Sequence, residues 1–183
     1  MAPSAFAGRY GPLRTARLHL RAPRRSDAAI VYARYGADLA VTRFTSWRPH
    51  ACLEDAEAAL EDRLGRLASG IEASWMLCPA GSDAPVGTIS AWIEEEGAEL
   101  GFVLARSVWG RGLATEAAIA VRDWALALEP VQRVWATCDH ENRASARVLE
   151  KAGLVCVGRF ERPILRPNLG PEPRDSLLFE LRP

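Results

Sequence analysis

The chain has 183 residues, 49% hydrophobic and 25% charged, enough for one globular domain with a sizeable core, and no Pro/Gly/Ser run is long enough to link two. Its 23 Lys and Arg balance 23 Asp and Glu, which excludes a global field drawing it to nucleic acid or an anionic membrane. No stretch approaches about 18 uninterrupted apolar residues and the N-terminus lacks an apolar signal core, so the expectation is a soluble, cytoplasmic protein with no membrane partner.

Residues 1–14 read as a tail ahead of a single domain over 15–183. The run from Arg17 to Ala22 alternates Leu18 and Leu20 with polar neighbours and stops at Pro23, as a short strand does. Ser26 is the expected cap of a helix through "DAAIVYARYG", ended by Gly36. In "CLEDAEAALEDRLGRLASG", Leu53, Ala56, Leu60, Leu64 and Leu67 recur at three and four residues and Gly70 closes the run, which predicts an amphipathic helix. Three strand-like runs follow, "SWMLCP", "VGTISAWI" and "AELGFVLA", separated by "AGSDAP" and "EEEG", an antiparallel meander. "LATEAAIAVRDWALAL" puts Ala117, Ala120, Val121, Trp124, Ala127 and Leu128 on one helical face. "VQRVWATC" is a strand and "NRASARVLEKAG" a helix ending at Gly153. Two last strands, "LVCVGRFE" and "DSLLFELR", flank "RPILRPNLGPEP", whose prolines make it an extended loop or flap. The order predicts an α/β domain with a mixed sheet.

Cys52, Cys78, Cys138 and Cys156 show no CxxC or Cys/His spacing, so reduced, packed thiols are expected and no nucleophile among them. His19, His50 and His140 have neither metal spacing nor a serine partner, so no metal is expected.

Chemistry concentrates in "SVWGRGLATEA", Ser107 to Ala117, where a strand passes through two glycines into a helix. Backbone N–H groups and the positive helix end there can hold a phosphate. A nucleotide P-loop is rejected: neither glycine precedes a lysine, and no Ser/Thr stands where Mg²⁺ would be held. A dinucleotide loop is weak, because Thr115 stands at the third glycine, a meander precedes the motif, and Gln132 stands where an acid is needed about 20 residues on.

The remaining pattern is Gln/Arg-x-x-Gly-x-Gly/Ala, the acetyl-CoA loop of the GCN5-related N-acetyltransferases, which Trp109-Gly110-Arg111-Gly112-Leu113-Ala114 resembles from its second position. "GFVLARSVWGRGLATEA", "VWATCDHENRASARVLEKAGL" and "DSLLFELR" resemble successive elements of that superfamily, from about Thr15 to Leu181. Within it the chain most resembles the branch containing the ribosomal-protein alanine N-acetyltransferases. The resemblance implies a mostly antiparallel mixed sheet of about seven strands flanked by four helices, with a splayed central strand pair.

It also implies site residues. Backbone of Phe102, Val103 and Leu104 would bind the pantetheine arm, and the N–H groups of Gly110, Arg111, Gly112, Leu113, Ala114 and Thr115 would meet the pyrophosphate, with Arg111 adding a charge-assisted contact. Trp109 departs from the family's Gln/Arg. Asn142 would hydrogen-bond the pantetheine amide and Ser145 lie beside the thioester sulfur; by pattern alone Asn142 is equally an N-cap. Leu149 stands where many members keep a tyrosine acid, so that role passes to Ser145, to water, or to nothing; a thiol of pKa about 8.5 leaves tolerably unaided.

Glu99 falls where several members keep a carboxylate base, and by pattern alone is equally a solvated edge residue. Glu94, Glu95 and Glu96 read as a solvated turn whose charge attracts a cationic amine. Trp47, in "RFTSWRPH", and Trp92 stand where acceptors enter in the resembling branch; by pattern alone both read as core or rim packing. The implied activity is direct transfer of an acetyl group from acetyl-CoA, as co-substrate and without a metal, to a primary amine, either a protein N-terminus or a small molecule; a homodimer is admitted. A non-catalytic acyl-CoA-binding or sensor module, or a transferase using another acyl-CoA, stays open beside it.

Overall fold

The computed structural model describes residues 9–94, 97–129 and 131–182. In chain order these form β1 (Leu13–Arg14), β2 (Leu18–Arg21), α1 (Ala28–Val31), α2 (Leu39–Thr42), α3 (Leu53–Ala68), β3 (Glu72–Pro79), β4 (Gly87–Glu94), β5 (Gly97–Leu104), α4 (Leu113–Leu126), β6 (Arg133–Asp139), α5 (Arg143–Lys151), β7 (Val155–Arg159), β8 (Ile164–Leu165), β9 (Pro173–Arg174) and β10 (Ser176–Leu181). The main sheet has eight strands in the order β1-β2-β3-β4-β5-β6-β10-β7, and β8 and β9 make a separate two-stranded ladder. Every pairing in the main sheet is antiparallel except β5 with β6. That parallel pair spans only Gly97↔Arg133, Ala98↔Val134 and Glu99↔Trp135, after which the strands part. The expected mixed α/β domain with a splayed central pair is therefore present.

Period-two alternation decides which layer each strand residue meets. Ala73, Trp75 and Leu77 of β3 share a buried cluster with Ala117, Val121 and Ala125 of α4 and with Leu149 of α5. Glu72, Ser74 and Met76, the intervening residues, face α3 and the α1 segment, where Arg63 donates to Glu72 and Ser74. The sheet is thus sandwiched, with α4 and α5 on one face and α1 and α3 on the other. Trp75 meets Trp124 edge-on at 4.8 Å, and its indole N–H donates to the Gly11 carbonyl at 2.8 Å. Of the segment set apart as a tail, residues 9–14 thus pack onto this layer, and residues 1–8 lie outside the described residues.

The local expectations need three corrections. The first helix is not capped by Ser26: the Asp27 carboxylate accepts from the Arg24 N–H at 2.8 Å and takes both terminal nitrogens of Arg21, at 2.9 and 2.7 Å. A buried ion pair therefore sets the entry, and the helix widens into a π turn over Tyr32–Gly36. The buried face of α4 runs through Leu113, Ala117, Ala118, Val121 and Ala125, so Ala118 and Ala125 replace Ala120 and Ala127. The helix faces a sheet rather than another helix, and the small alanines turn toward it. Lastly, the proline-rich flap carries the β8–β9 ladder, with Ile164 opposite Arg174.

Among the described residues no helix is long and apolar enough to cross a membrane, and no cluster of His, Cys, Asp and Glu could hold a metal ion.

Candidate active site

Register partners project to the same face of a sheet. Glu72 pairs with Trp92, Trp92 with Glu99, Glu99 with Trp135 and Trp135 with Glu180, so five adjacent strands carry one alternating row of carboxylates and indoles. The three carboxylates differ in what meets them. Glu72, fully buried, accepts from Arg63 at 2.6 Å, Arg66 at 2.7 Å and Ser90 at 2.5 Å. Glu180 accepts from Arg133 at 2.7 Å. Glu99 has no ion pair within 4.0 Å among the described residues, although Arg162 and Arg166 are near enough to favour its charge. Burial, reinforced by the exposed Glu94 carboxylate, outweighs them and pushes Glu99 up to about 7. A carboxylate with that affinity can take a proton and return it near neutral pH. Of the acidic turn, Glu95 and Glu96 lie outside the described residues.

Glu99 stands where β5 and β6 separate. Phe102, Val103 and Leu104 pair only with Ile89, Thr88 and Gly87 of β4, so their other edge has no strand partner. Backbone groups on such an edge bind an extended amide chain as a neighbouring strand would. Past Leu104 the chain turns through Arg106–Val108 into the glycine loop. Gly110 and Gly112 have φ of 74° and 75°, conformations that strain any side chain. The first bond of α4 runs from the Glu116 N–H to the Gly112 carbonyl at 3.1 Å. The N–H groups of Leu113, Ala114 and Thr115 thus lack helical acceptors at the positive helix end, and with the exposed Gly110, Arg111 and Gly112 they form a cradle suited to a diphosphate.

Trp109, where the resembling pattern has Gln or Arg, donates its indole N–H to the Leu104 carbonyl at 2.8 Å and so ties the loop to the end of β5. Arg17 was not singled out by sequence. It donates to the Arg111 carbonyl at 2.8 Å and pairs with Glu116 at 2.7 Å, bringing a second guanidinium against the loop. Burial pushes Glu116 up, but bonds from Thr15 and Arg17 prevail and hold it below the usual carboxylate range.

On α5, Asn142 accepts from the Ser145 N–H at 3.2 Å, so the capping role is present. Ser145 is half-buried on the first turn, whereas Leu149 is fully buried in the core. Cys138, pushed up to about 11 by burial, is a protonated thiol at neutral pH.

The Trp92 ring lies over Gly101, where a Cβ would approach it to 2.9 Å, so glycine is required for the indole to lie flat beside Glu99. Trp47 does not join the row. Its ring stacks on His50 with centroids 5.2 Å apart, and its link to the site runs through the flap. Asn168 of the flap donates to the carbonyls of Thr42 and Trp47 at 2.7 and 2.8 Å. Arg174 anchors the returning arm on Asp139 at 2.7 Å and Glu141 at 2.8 Å. Arg166 precedes both anchors in the flap and is 8% exposed. The proline spacing signalled the flap; which of its polar residues face inward had no signal in the sequence.

Residues 17–155 match the acetyltransferase (GNAT) domain family. The uncharacterized N-acetyltransferase YjdG of Bacillus subtilis is 40% identical over 57 residues, which are 31% of this chain; the match spans only 34% of that relative's length. Among solved structures, an acetyltransferase (GNAT family) from Bacillus anthracis superposes with a TM-score of 0.79 at 25% identity, covering 93% of this chain and 98% of that one. RimL, a ribosomal L7/L12 alpha-N-protein acetyltransferase in complex with coenzyme A, superposes with a TM-score of 0.78 over 92% of this chain and 95% of its own, at 16% identity, a likeness of fold.

Proposed function

Because the chain belongs to the acetyltransferase (GNAT) domain family, we propose that it transfers an acetyl group from acetyl-CoA directly to a primary amine, with Glu99 as the base. The observation that carries this reading is the contrast within one row: Glu72 and Glu180 are held by arginines, and Glu99 is left without an ion pair among the described residues, pushed up to about 7, at the point where two strands open. A carboxylate kept only for stability would resemble its neighbours.

The residues present suit acetyl-CoA. The Gly110 to Thr115 cradle matches a diphosphate, the free edge of Phe102 to Leu104 matches the amide groups of a pantetheine arm, and Asn142 and Ser145 border the same opening from α5. The thioester supplies an activated acyl carbon when bound. Glu99 takes the amine proton, directly or through one water, while the new N–C bond forms and the C–S bond breaks; CoA leaves as a thiolate and takes a solvent proton. With Leu149 in the core and Cys138 a neutral thiol, neither a tyrosine acid nor a cysteine nucleophile has a part.

The buried Leu149 also favours a second reading, a module that binds acyl-CoA without turnover. Acetyl-CoA turnover measured against a panel of amines separates them. Steady thiol release that needs an amine and falls sharply in Glu99→Gln supports the enzyme; tight CoA binding with no transfer supports the module. Competition between acetyl-CoA and longer acyl-CoAs tests the acyl group.

A further inference from the structure

Arg166 is the largest unexplained cost in the fold. It is 8% exposed, its Nε has no hydrogen-bond partner, and no carboxylate oxygen lies within 4.0 Å of its nitrogens among the described residues. A guanidinium stays charged in proteins, so this is a full charge, buried and unpaired. The nearby acids do not offset it. Asp139 is engaged by Arg174 and by the Glu141 N–H at 2.9 Å, and Glu99 is shifted toward its neutral form.

The placement is equally specific. Arg166 follows β8 in the flap and interacts electrostatically with Glu99 of β5 and with Cys138 and Asp139 of β6. Its charge is therefore felt on both strands that border the opening, and by Glu99 at its fork. A second orphan donor, the buried Nε1 of Trp135, belongs to the residue paired with Glu99 across that opening. The phosphate cradle cannot satisfy these groups. Leu104 lies five residues beyond Glu99, about 17 Å along an extended strand, and the loop lies further still.

We infer that Arg166 receives an oxyanion carried by the acceptor itself, so that the substrate is an amine bearing a carboxylate or phosphate close to the nitrogen. The inference rests on the acetyltransferase reading and deepens it. The guanidinium fork pairs two oxygens at once, and holding the anion at Arg166 presents the amine to Glu99. Asn168 and Arg174 keep the flap, and with it Arg166, in place.

The test uses the full-length protein, acetyl-CoA and matched acceptors: amino carboxylates against their amides, and aminoalkyl phosphates against the corresponding amino alcohols. The expected result is a kcat/KM higher by roughly 10- to 100-fold for the anionic member of one series, carried by KM. Whether carboxylates or phosphates show it names the anion. Compared on the high-pH plateau, where Glu99 is ionised in each protein, Arg166→Met should abolish that preference, leave the neutral member within about 3-fold, and melt no lower than the parent; Arg166→Lys should restore part of the preference. Equal rates on both members, an equal loss on both in Arg166→Met, a change confined to the KM for acetyl-CoA, or unfolding of both variants would each overturn the inference. Absence of transfer to every amine would instead sink the acetyltransferase reading, and this inference with it.

Discussion

Glu99 and Trp135 form the last rung that β5 and β6 share, and beyond it the two strands part. A parallel pair that stops after three rungs leaves backbone groups of β5 without a strand partner, open to water or to a ligand. The carboxylate at the fork is half-buried without an ion pair.

That placement has a kinetic signature. Glu99 is protonated below about 7 and ionised above it, so kcat/KM should rise with pH through about 7 with unit slope. In Glu99→Gln the residual rate should be lower by roughly 10²- to 10⁴-fold and should lose that limb. A pH–rate profile of both proteins checks this.

The same shift makes a prediction about stability. The folded chain binds the Glu99 proton at about 7, against an ordinary value of 4.5, so between those limits it holds more protons than the unfolded chain, and stability falls as pH rises. Glu99→Gln should therefore be stabilising at pH 8, by up to about 3 kcal/mol, and neutral at pH 4. Glu72→Gln, in the same row, should do the opposite at pH 8: it strands Arg63 and Arg66 and costs about 2–3 kcal/mol. Denaturant unfolding at the two pH values distinguishes them.

Gly112→Ala tests the cradle. A side chain at φ 75° costs about 1–2 kcal/mol, and the relaxed loop would turn its N–H groups away. CoA affinity should fall about 10-fold or more while amine KM holds; calorimetric titration with CoA reads it.

Leu149→Tyr asks whether the missing phenol can be supplied. Leu149 is fully enclosed, so the larger polar ring should lower stability by about 1–3 kcal/mol without raising kcat. A faster enzyme would contradict the reading that the thiolate leaves unaided.

Asn168→Ala cuts the flap from the Thr42 and Trp47 carbonyls. The acceptor KM should rise several-fold with the KM for acetyl-CoA unchanged, and protease cleavage within the flap should become faster.

Some of this was legible in residue order. The Leu18 to Leu20 alternation, the Leu53 to Leu67 spacing, the three-strand meander and the glycines before α4 each express a local rule, in which backbone conformation and side-chain period are set by near neighbours. Those rules singled out the glycine loop that we propose holds the donor. They failed where a distant partner intervened: Asp27 displaced Ser26 as the organiser of the first helix because Arg21 reaches it, and the α4 face turned to present its alanines to a sheet.

The acceptor side lay beyond them altogether. Glu72, Glu99 and Glu180 are indistinguishable as letters, since nothing in the sequence says which strands become neighbours or where an arginine will arrive. Burial and charge pairing are properties of chain segments brought together from far apart, and they separate two carboxylates held by arginines from the one we propose as the base. The sequence by itself determined a domain of this class and the loop suited to hold the donor. Only the tertiary structure decided that, among the described residues, Glu99 at the fork has no ion pair and the Nε of the buried Arg166 has no hydrogen-bond partner.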